Sequence, residues 1–377
     1  MTTGLISRVI ASLALVGTAF APLNPAFADS LQSEFDRAFT APATATATAP
    51  RAQPRSQFQA PAKVQPRLQP STESAQRALP PSVRPFVASA RPSSYASPFD
   101  AQVFSAADSS GGRIGVAAID LSTGRLVTVL GDTPFPMAST SKIAIAATFL
   151  DAADHGRLSL NASYPLMVPV TSRKYSTLVA PVRRGTMMTG QQLIERALIH
   201  SDNQATDALL AAVGGPPAVN RWMRGAGLSG LRLDRDIATL VRDDGEYDPA
   251  RMIDQRDSAT PKAMAQLLSG IYQGRWLSAN SRAFLLATME RCVTGKRRMR
   301  LQLPSDARVA HKTGTLSNTS SDVGLIQTAD GRVYAVAIYV TGQGGRAGRD
   351  AKIAQIARTL YDGYQGENGG YRVAAQP

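Results

Sequence analysis

Cysteine is almost missing from this chain of 377 residues: Cys292 stands alone, so no disulfide within the chain staples the fold. Histidine is nearly as scarce. His155, His200 and His311 are the whole set, and none falls in a metal-ligand spacing such as H-x-H or H-E-x-x-H. That argues against a metallohydrolase, and neither metal nor cofactor is expected. Acids are few beside bases, 28 Asp and Glu against 41 Lys and Arg, for a formal charge of +13. The bases are scattered, with no basic helix and no interleaved aromatics, so nucleic acid is not the expected partner. An anionic envelope is a more natural counterpart for such a charge.

Long apolar runs are missing after the N-terminus. The first 28 residues carry Arg8, an apolar stretch from Val9 to Phe20, and Ala26-Phe27-Ala28 before Asp29. This reads as a cleavable secretory signal, too short for a comfortable membrane span. The expectation is a periplasmic or secreted protein, monomeric and with no transmembrane segment in the mature chain. Residues 29–100 are rich in Ala, Pro, Thr, Ser and Gln, and hold 11 of the 24 prolines. They read as a disordered linker, since they offer little to bury. From Arg37 to Arg91 this stretch has eight bases against the single acid Glu73, enough for loose contact with an anionic surface.

What is present begins near residue 101. Arg113 to Ile119 and Arg125 to Leu130 are apolar runs joined by DLSTG, a hairpin pattern. A helix-rich middle follows, clearest at Ile143 to Ala152 and Gln191 to Ile199. Gly324 to Gln327 and Val333 to Val340 then flank Asp330-Gly331, a strong hairpin turn, and a helix from Asp350 to Tyr361 closes the pattern. Strands at both ends with helices between predict an α+β fold over 101–365, leaving 366–377 as a tail. Its antiparallel sheet is built from both chain ends and packed with helices, beside an all-α central subdomain.

Three short motifs carry chemistry. Ser139-Thr140-Ser141-Lys142 precedes IAIAATFL, which is apolar on every face and so marks a buried helix. A lysine in its first turn must find partners or shed its proton. It lies three positions after Ser139, which places a hydroxyl beside an amine able to become neutral, a nucleophile with its base. Ser201-Asp202-Asn203 lies between two helical segments, where such residues also serve as N-caps. Lys312-Thr313-Gly314-Thr315 follows the short run RVAH, as at a strand end and turn.

Together these motifs resemble the S-x-x-K, S-D-N and K-T-G signature of the class A β-lactamase and penicillin-binding protein family. The likeness extends through RIGVAAIDLSTGRLV, FPMASTSK, MTGQQLIERALIHSDNQATDALL, RDSATPKAMAQLL, HKTGT and YVTGQGGRAGRDAKIAQIA, from Phe104 to Tyr364. It implies that Ser139 attacks a β-lactam or peptide carbonyl, that Lys142 is the acylation base or part of its relay, and that Ser201 carries a proton to the leaving nitrogen. It further implies that Asn203 holds the substrate amide, and that Lys312, Thr313, Gly314 and Thr315 receive the substrate carboxylate. Backbone N–H groups of Ser139 and Thr315 would form the oxyanion hole.

The sequence departs from that family where members carry a deacylating glutamate in an E-x-x-L-N pattern. Here LRLDRDIATLVRDDGEYDPARMIDQRDSATP places Ile237 in register with the glutamate, with Leu240 and Val241 at the pattern's Leu-Asn. Asp236, Asp243, Asp244 and Glu246 are the nearby carboxylates, and Glu246 is taken as the candidate replacement. In the segment directly after HKTGT no arginine supplies the carboxylate clamp found in some members; Ser320 and Ser321 occupy that region. The leading expectation is a secreted serine hydrolase opening β-lactam rings through a Ser139 acyl-enzyme, with slow deacylation if no base serves the water. Two other readings stand beside it: a D,D-peptidase-like protein acting on peptidoglycan stem peptides, and a non-catalytic envelope or β-lactam-binding module.

Overall fold

The computed structural model describes residues 79–88 and 92–373. The stretch read as a secretory signal, 1–28, and the stretch read as linker, as far as residue 78 and again at 89–91, lie outside the described residues. A five-stranded antiparallel sheet organises the rest. Its strands are β1 (Ile114–Asp120), β2 (Leu126–Val129), β3 (Arg308–Leu316), β4 (Thr319–Gln327) and β5 (Val333–Thr341). Their spatial order is β3-β4-β5-β1-β2, so the N-terminal hairpin docks on the C-terminal meander through the β1–β5 pair, with Ala117 opposite Ala337. At the β4–β5 turn Gly331 has φ +87°, a conformation that favours glycine and explains the Asp-Gly pair. Strand β3 forms one edge, with an outer side open to other elements.

Both faces of the sheet are covered, which is why β5 is buried at every position. Its odd-numbered residues Val333, Ala335, Ala337 and Tyr339 face one core. The even-numbered Tyr334, Val336, Ile338 and Val340 face the other. On that second face lie α1 (Pro98–Ala106) and α9 (Arg346–Val373), with Phe99, Val103, Ile353 and Leu360 turned inward. The first face carries α2 (Ser141–Asp154), α3 (Gly190–Ile199), α4 (Asn203–Val213), α5 (Pro216–Gly225), α6 (Ile237–Arg242), α7 (Pro261–Tyr272) and α8 (Ala279–Glu290). Helix starts follow local chemistry. Ser97, Thr189, Asp202, Asp236, Thr260 and Ser278 each accept a backbone N–H as N-caps, and Thr189 with Gln192 completes a capping box. Helix α2 is buried on all sides from Ser141 to Leu150, and each large apolar side chain there contributes about 2 kcal/mol by leaving water.

Three boundaries differ from the sequence reading. Val83–Pro85, inside the stretch read as linker, pairs antiparallel with Met252–Asp254, and Val83 is buried. A three-residue strand beside prolines has no period to detect; only its partner in the lengthened loop defines it. The helical middle also contains a two-stranded hairpin, Ser163–Pro169 with Val182–Thr189, whose long connection carries no tight-turn signal. Helix α9 starts at Arg346 and runs to Val373, through a Gly- and Gln-bearing end without apolar spacing.

Arg113 ties the N-terminal segment to the body. Fully buried, it donates from Nε to Pro249 O at 2.8 Å, and from its terminal nitrogens to Pro134 O at 3.0 Å and Met252 O at 3.2 Å. Its guanidinium also stacks over the rings of Phe135 and Phe86. Arg113→Met leaves three carbonyls without donors, and an expected loss of about 3 kcal/mol is readable as a lowered urea midpoint. An unchanged midpoint would show that water satisfies those carbonyls equally well.

Candidate active site

Ser139 sits in a single 3-10 turn, Ala138–Thr140, that leads directly into α2. The turn is strained and pinned. Ala138 has φ +49°, unusual for a residue with a Cβ, while Thr140 Oγ1 donates to Met137 O at 2.7 Å and Ser141 Oγ to Ala138 O at 2.9 Å. Ala138, Thr140, Ser141 and Lys142 are all buried, leaving Ser139 as the one residue of the group with access to solvent.

Lys142 is buried and unpaired with any carboxylate among the described residues. Its Nζ donates to Ser201 O at 2.5 Å and to Asn203 Oδ1 at 2.8 Å, with Ser201 Oγ at 3.3 Å. Burial, reinforced by the charge of Lys312, drives its pKa well below the usual ammonium range. Ser201 takes a left-handed backbone, φ +60°, which lets its carbonyl and hydroxyl turn toward the two lysines while Asp202 caps α4. The tripeptide is therefore both things at once: a helix cap at Asp202, and the lysine-holding pair Ser201 and Asn203.

The third motif lies within β3 rather than at its end. Lys312 Nζ donates to Ser201 Oγ at 2.9 Å and to Thr313 O at 2.8 Å, so one hydroxyl bridges both amines. Lys312 is lowered less, to about 8, mainly by burial with Arg298 adding, against the opposing pull of Cys292 and Asp322. It keeps its charge at neutral pH. Gly314 explains how β3 reaches the nucleophile: a Cβ there would lie 2.8 Å from Met137 O and 2.4 Å from Ser321 Oγ. Only a glycine lets the strand press against the Met137–Ala138 turn.

Sequence reasoning missed Arg298. It precedes β3 instead of following it, and is fully buried. It donates to Thr315 Oγ1 at 2.8 Å, to Gly314 O and Ser321 O at 2.9 Å each, and pairs with Asp350 at 2.7 Å. Lys296-Arg297-Arg298 gives three adjacent bases, and only packing decides which one turns inward. Cys292 is buried too, with Sγ 3.2 Å from Thr294 Oγ1, itself 2.6 Å from Thr313 Oγ1. Among the described residues no group of three or more His, Cys, Asp or Glu side chains is placed to hold a metal ion.

The loop carboxylates are all engaged elsewhere. Asp236 caps α6; Asp243 is paired with Arg242 and accepts Tyr175 N–H at 2.7 Å; Asp244 accepts Ser317 N–H; Glu246 pairs with Arg256 at 2.9 Å. Glu246, the sequence-based candidate, is thus bound within its own loop. Ile237 is buried, and its N–H together with that of Ala238 donates to Asp207 at 2.7 and 2.9 Å. Asp207 lies one turn beyond Asn203 on α4. Burial, with Asp236 adding, lifts it to about 7, although those N–H donors and Lys142 draw it back.

A strained, accessible serine at a helix start, a lysine able to lose its charge and a second charged lysine on an edge strand define the class: a serine acyl-transfer hydrolase on an α+β scaffold. The match to the beta-lactamase enzyme family spans residues 98–364, and the chain belongs to that family as a class A-type serine hydrolase. Among relatives, β-lactamase CTX-M-6 of Salmonella typhimurium is 33% identical over 62% of this chain and 77% of its own length. CTX-M-8 of Citrobacter amalonaticus is 33% identical over 68% of this chain and 86% of its own. Among solved structures, a β-lactamase from Chitinophaga pinensis matches with a TM-score of 0.61 at 28% identity, covering 71% of this chain and 99% of its own. The class A β-lactamase of the last common ancestor of Gram-negative bacteria matches with a TM-score of 0.61 at 34%, covering 71% and 100%.

Asp207 supplies a pH test. A carboxyl lifted from 3.8 to about 7 binds its proton more tightly in the folded state, so its contribution to stability is greatest below pH 3.8 and is lost as pH rises through about 7. Asp207→Asn removes that titration. The stability difference between wild type and variant, from urea midpoints, is expected to move in the variant's favour between about pH 4 and about pH 8. A difference that stays constant would rule out the burial-raised carboxyl.

Proposed function

We propose that this protein is exported by residues 1–28 and opens β-lactam rings through an acyl-enzyme on Ser139. The observation that carries the reading is that Lys142 is buried and hydrogen-bonded to Ser201 and Asn203, with no carboxylate in direct contact among the described residues. A neutral Lys142 takes the Ser139 proton as Oγ attacks the lactam carbonyl. Ser201 passes a proton to the departing nitrogen and is resupplied by the lysines it bridges. Lys312, with Thr313 and Thr315, meets the substrate carboxylate, and Arg298 holds the Thr315 hydroxyl in place from behind. Asn203 has one amide end on Lys142 and the other free for the substrate amide. Strand β3 is a sheet edge, where unpaired N–H groups are available. The N–H of Thr315, with that of Ser139, then receives the carbonyl oxygen as it becomes negative.

The second half of the reaction is slower in this reading. Ile237 contributes no base, and the four loop acids are committed to backbone or arginine partners. This favours a long-lived acyl-enzyme, which also keeps the D,D-peptidase-like alternative: the same serine chemistry on a stem peptide with the same terminal carboxylate. Incubation with nitrocefin and with a fluorescent penicillin separates the two. A burst equal to the enzyme concentration, followed by steady turnover, with the adduct mass on Ser139, is the expected result. An adduct without turnover favours the peptidase-like reading; no adduct removes both. Ser139→Ala is expected to lower kcat by a factor on the order of 10⁴ or more. Glu246→Gln is expected to leave the steady rate unchanged, because its carboxylate serves Arg256.

A further inference from the structure

The hairpin Ser163–Pro169/Val182–Thr189 and its connection form an unusual surface. Between Asp154 and Glu195 the chain has no acidic residue, but it carries Arg157, Arg173, Lys174, Arg183 and Arg184. Arg157 pairs with Asp151; the other four form no ion pair among the described residues, and all four are exposed. The same stretch of chain exposes large apolar side chains: Leu178 at 74%, Val179 at 70% and Met187 at 55%, and to a lesser degree Val170 and Val182.

This exposure is built into the fold. The backbone of the connection is strapped to α6: Arg242 donates to Ser176 O at 3.1 Å and Leu178 O at 2.8 Å, and Ala180 N–H donates to Thr239 Oγ1 at 2.8 Å. Asp243 fixes Tyr175 N–H as well. A pinned backbone that holds leucine and valine in water forgoes the gain from burying them. Asp243 and Asp244 are the acids facing this loop, and both are occupied, by Arg242 and by Ser317 N–H.

We propose that this hairpin is an attachment surface for an anionic lipid bilayer, with Leu178 and Val179 entering the headgroup boundary and Arg183 and Arg184 meeting lipid phosphates. A bilayer supplies both halves of the complement at once, apolar depth and dense negative charge. A simple polyanion matches only the arginines and leaves the apolar tip in water. The surface does not depend on the chemistry assigned to Ser139.

The test is co-sedimentation of the full chain with phosphatidylcholine vesicles, with and without about 30% phosphatidylglycerol. The wild type is expected to bind the anionic vesicles, less so at high salt, and the neutral ones weakly. Arg183→Gln/Arg184→Gln is expected to weaken partition about fivefold for each charge removed. Leu178→Ser/Val179→Ser is expected to weaken it about tenfold at either salt. Both pairs are exposed, and circular dichroism checks the fold of each variant. Equal partition of wild type and variants would assign membrane affinity to another part of the chain and overturn the proposal. So would an absence of vesicle binding by a wild type that dextran sulfate captures through the same arginines.

Discussion

Everything in the site depends on burying an amine where desolvation outweighs the distant pull of Asp202 and Asp207 and no carboxylate touches it. Lys142 has only a carbonyl, an amide oxygen and a hydroxyl as partners, all neutral acceptors. Neutral acceptors orient the amine without holding its proton, and a second lysine nearby pushes in the same direction. A glutamate in the place of Asn203 would form a buried ion pair and fix the charge. The amide of Asn203 is what leaves it free to change.

That arrangement constrains the scaffold. The helix that follows Ser139 is buried from Ser141 to Leu150, so α2 needs elements on every side. The left-handed turn at Ser201 has to sit at the junction of α3 and α4, where a helix break costs least. Strand β3 must approach to van der Waals contact, which only Gly314 permits. Arg298 then neutralises the crowded carbonyls and the hydroxyl on the other side of the same strand, and Asp350 from α9 balances its charge. Each sheet face thereby contributes to a site on the edge.

On the opposite side of the site, the position in register with the family's glutamate is apolar. Ile237 packs inward as an ordinary core residue, and the backbone it leaves exposed is taken up by Asp207. The surrounding acids have settled into caps and ion pairs. The loop's carboxylates are tied to backbone N–H groups and arginines.

Much of this was legible in the residues. The apolar octet after Lys142 announced a buried helix, the Asp330-Gly331 pair announced a hairpin, and the three motifs together announced the chemistry, because each depends on short-range spacing that sequence preserves. Equally legible was the presence of Ile237 in the register where the resemblance leads one to expect a glutamate. Tertiary structure decided the rest. Which base of Lys296-Arg297-Arg298 turns inward, which acid pairs with which arginine, and where Val83–Pro85 finds its partner are all contacts between residues far apart in the chain. They are set by packing, which places groups to within an ångström and has no signature in local pattern.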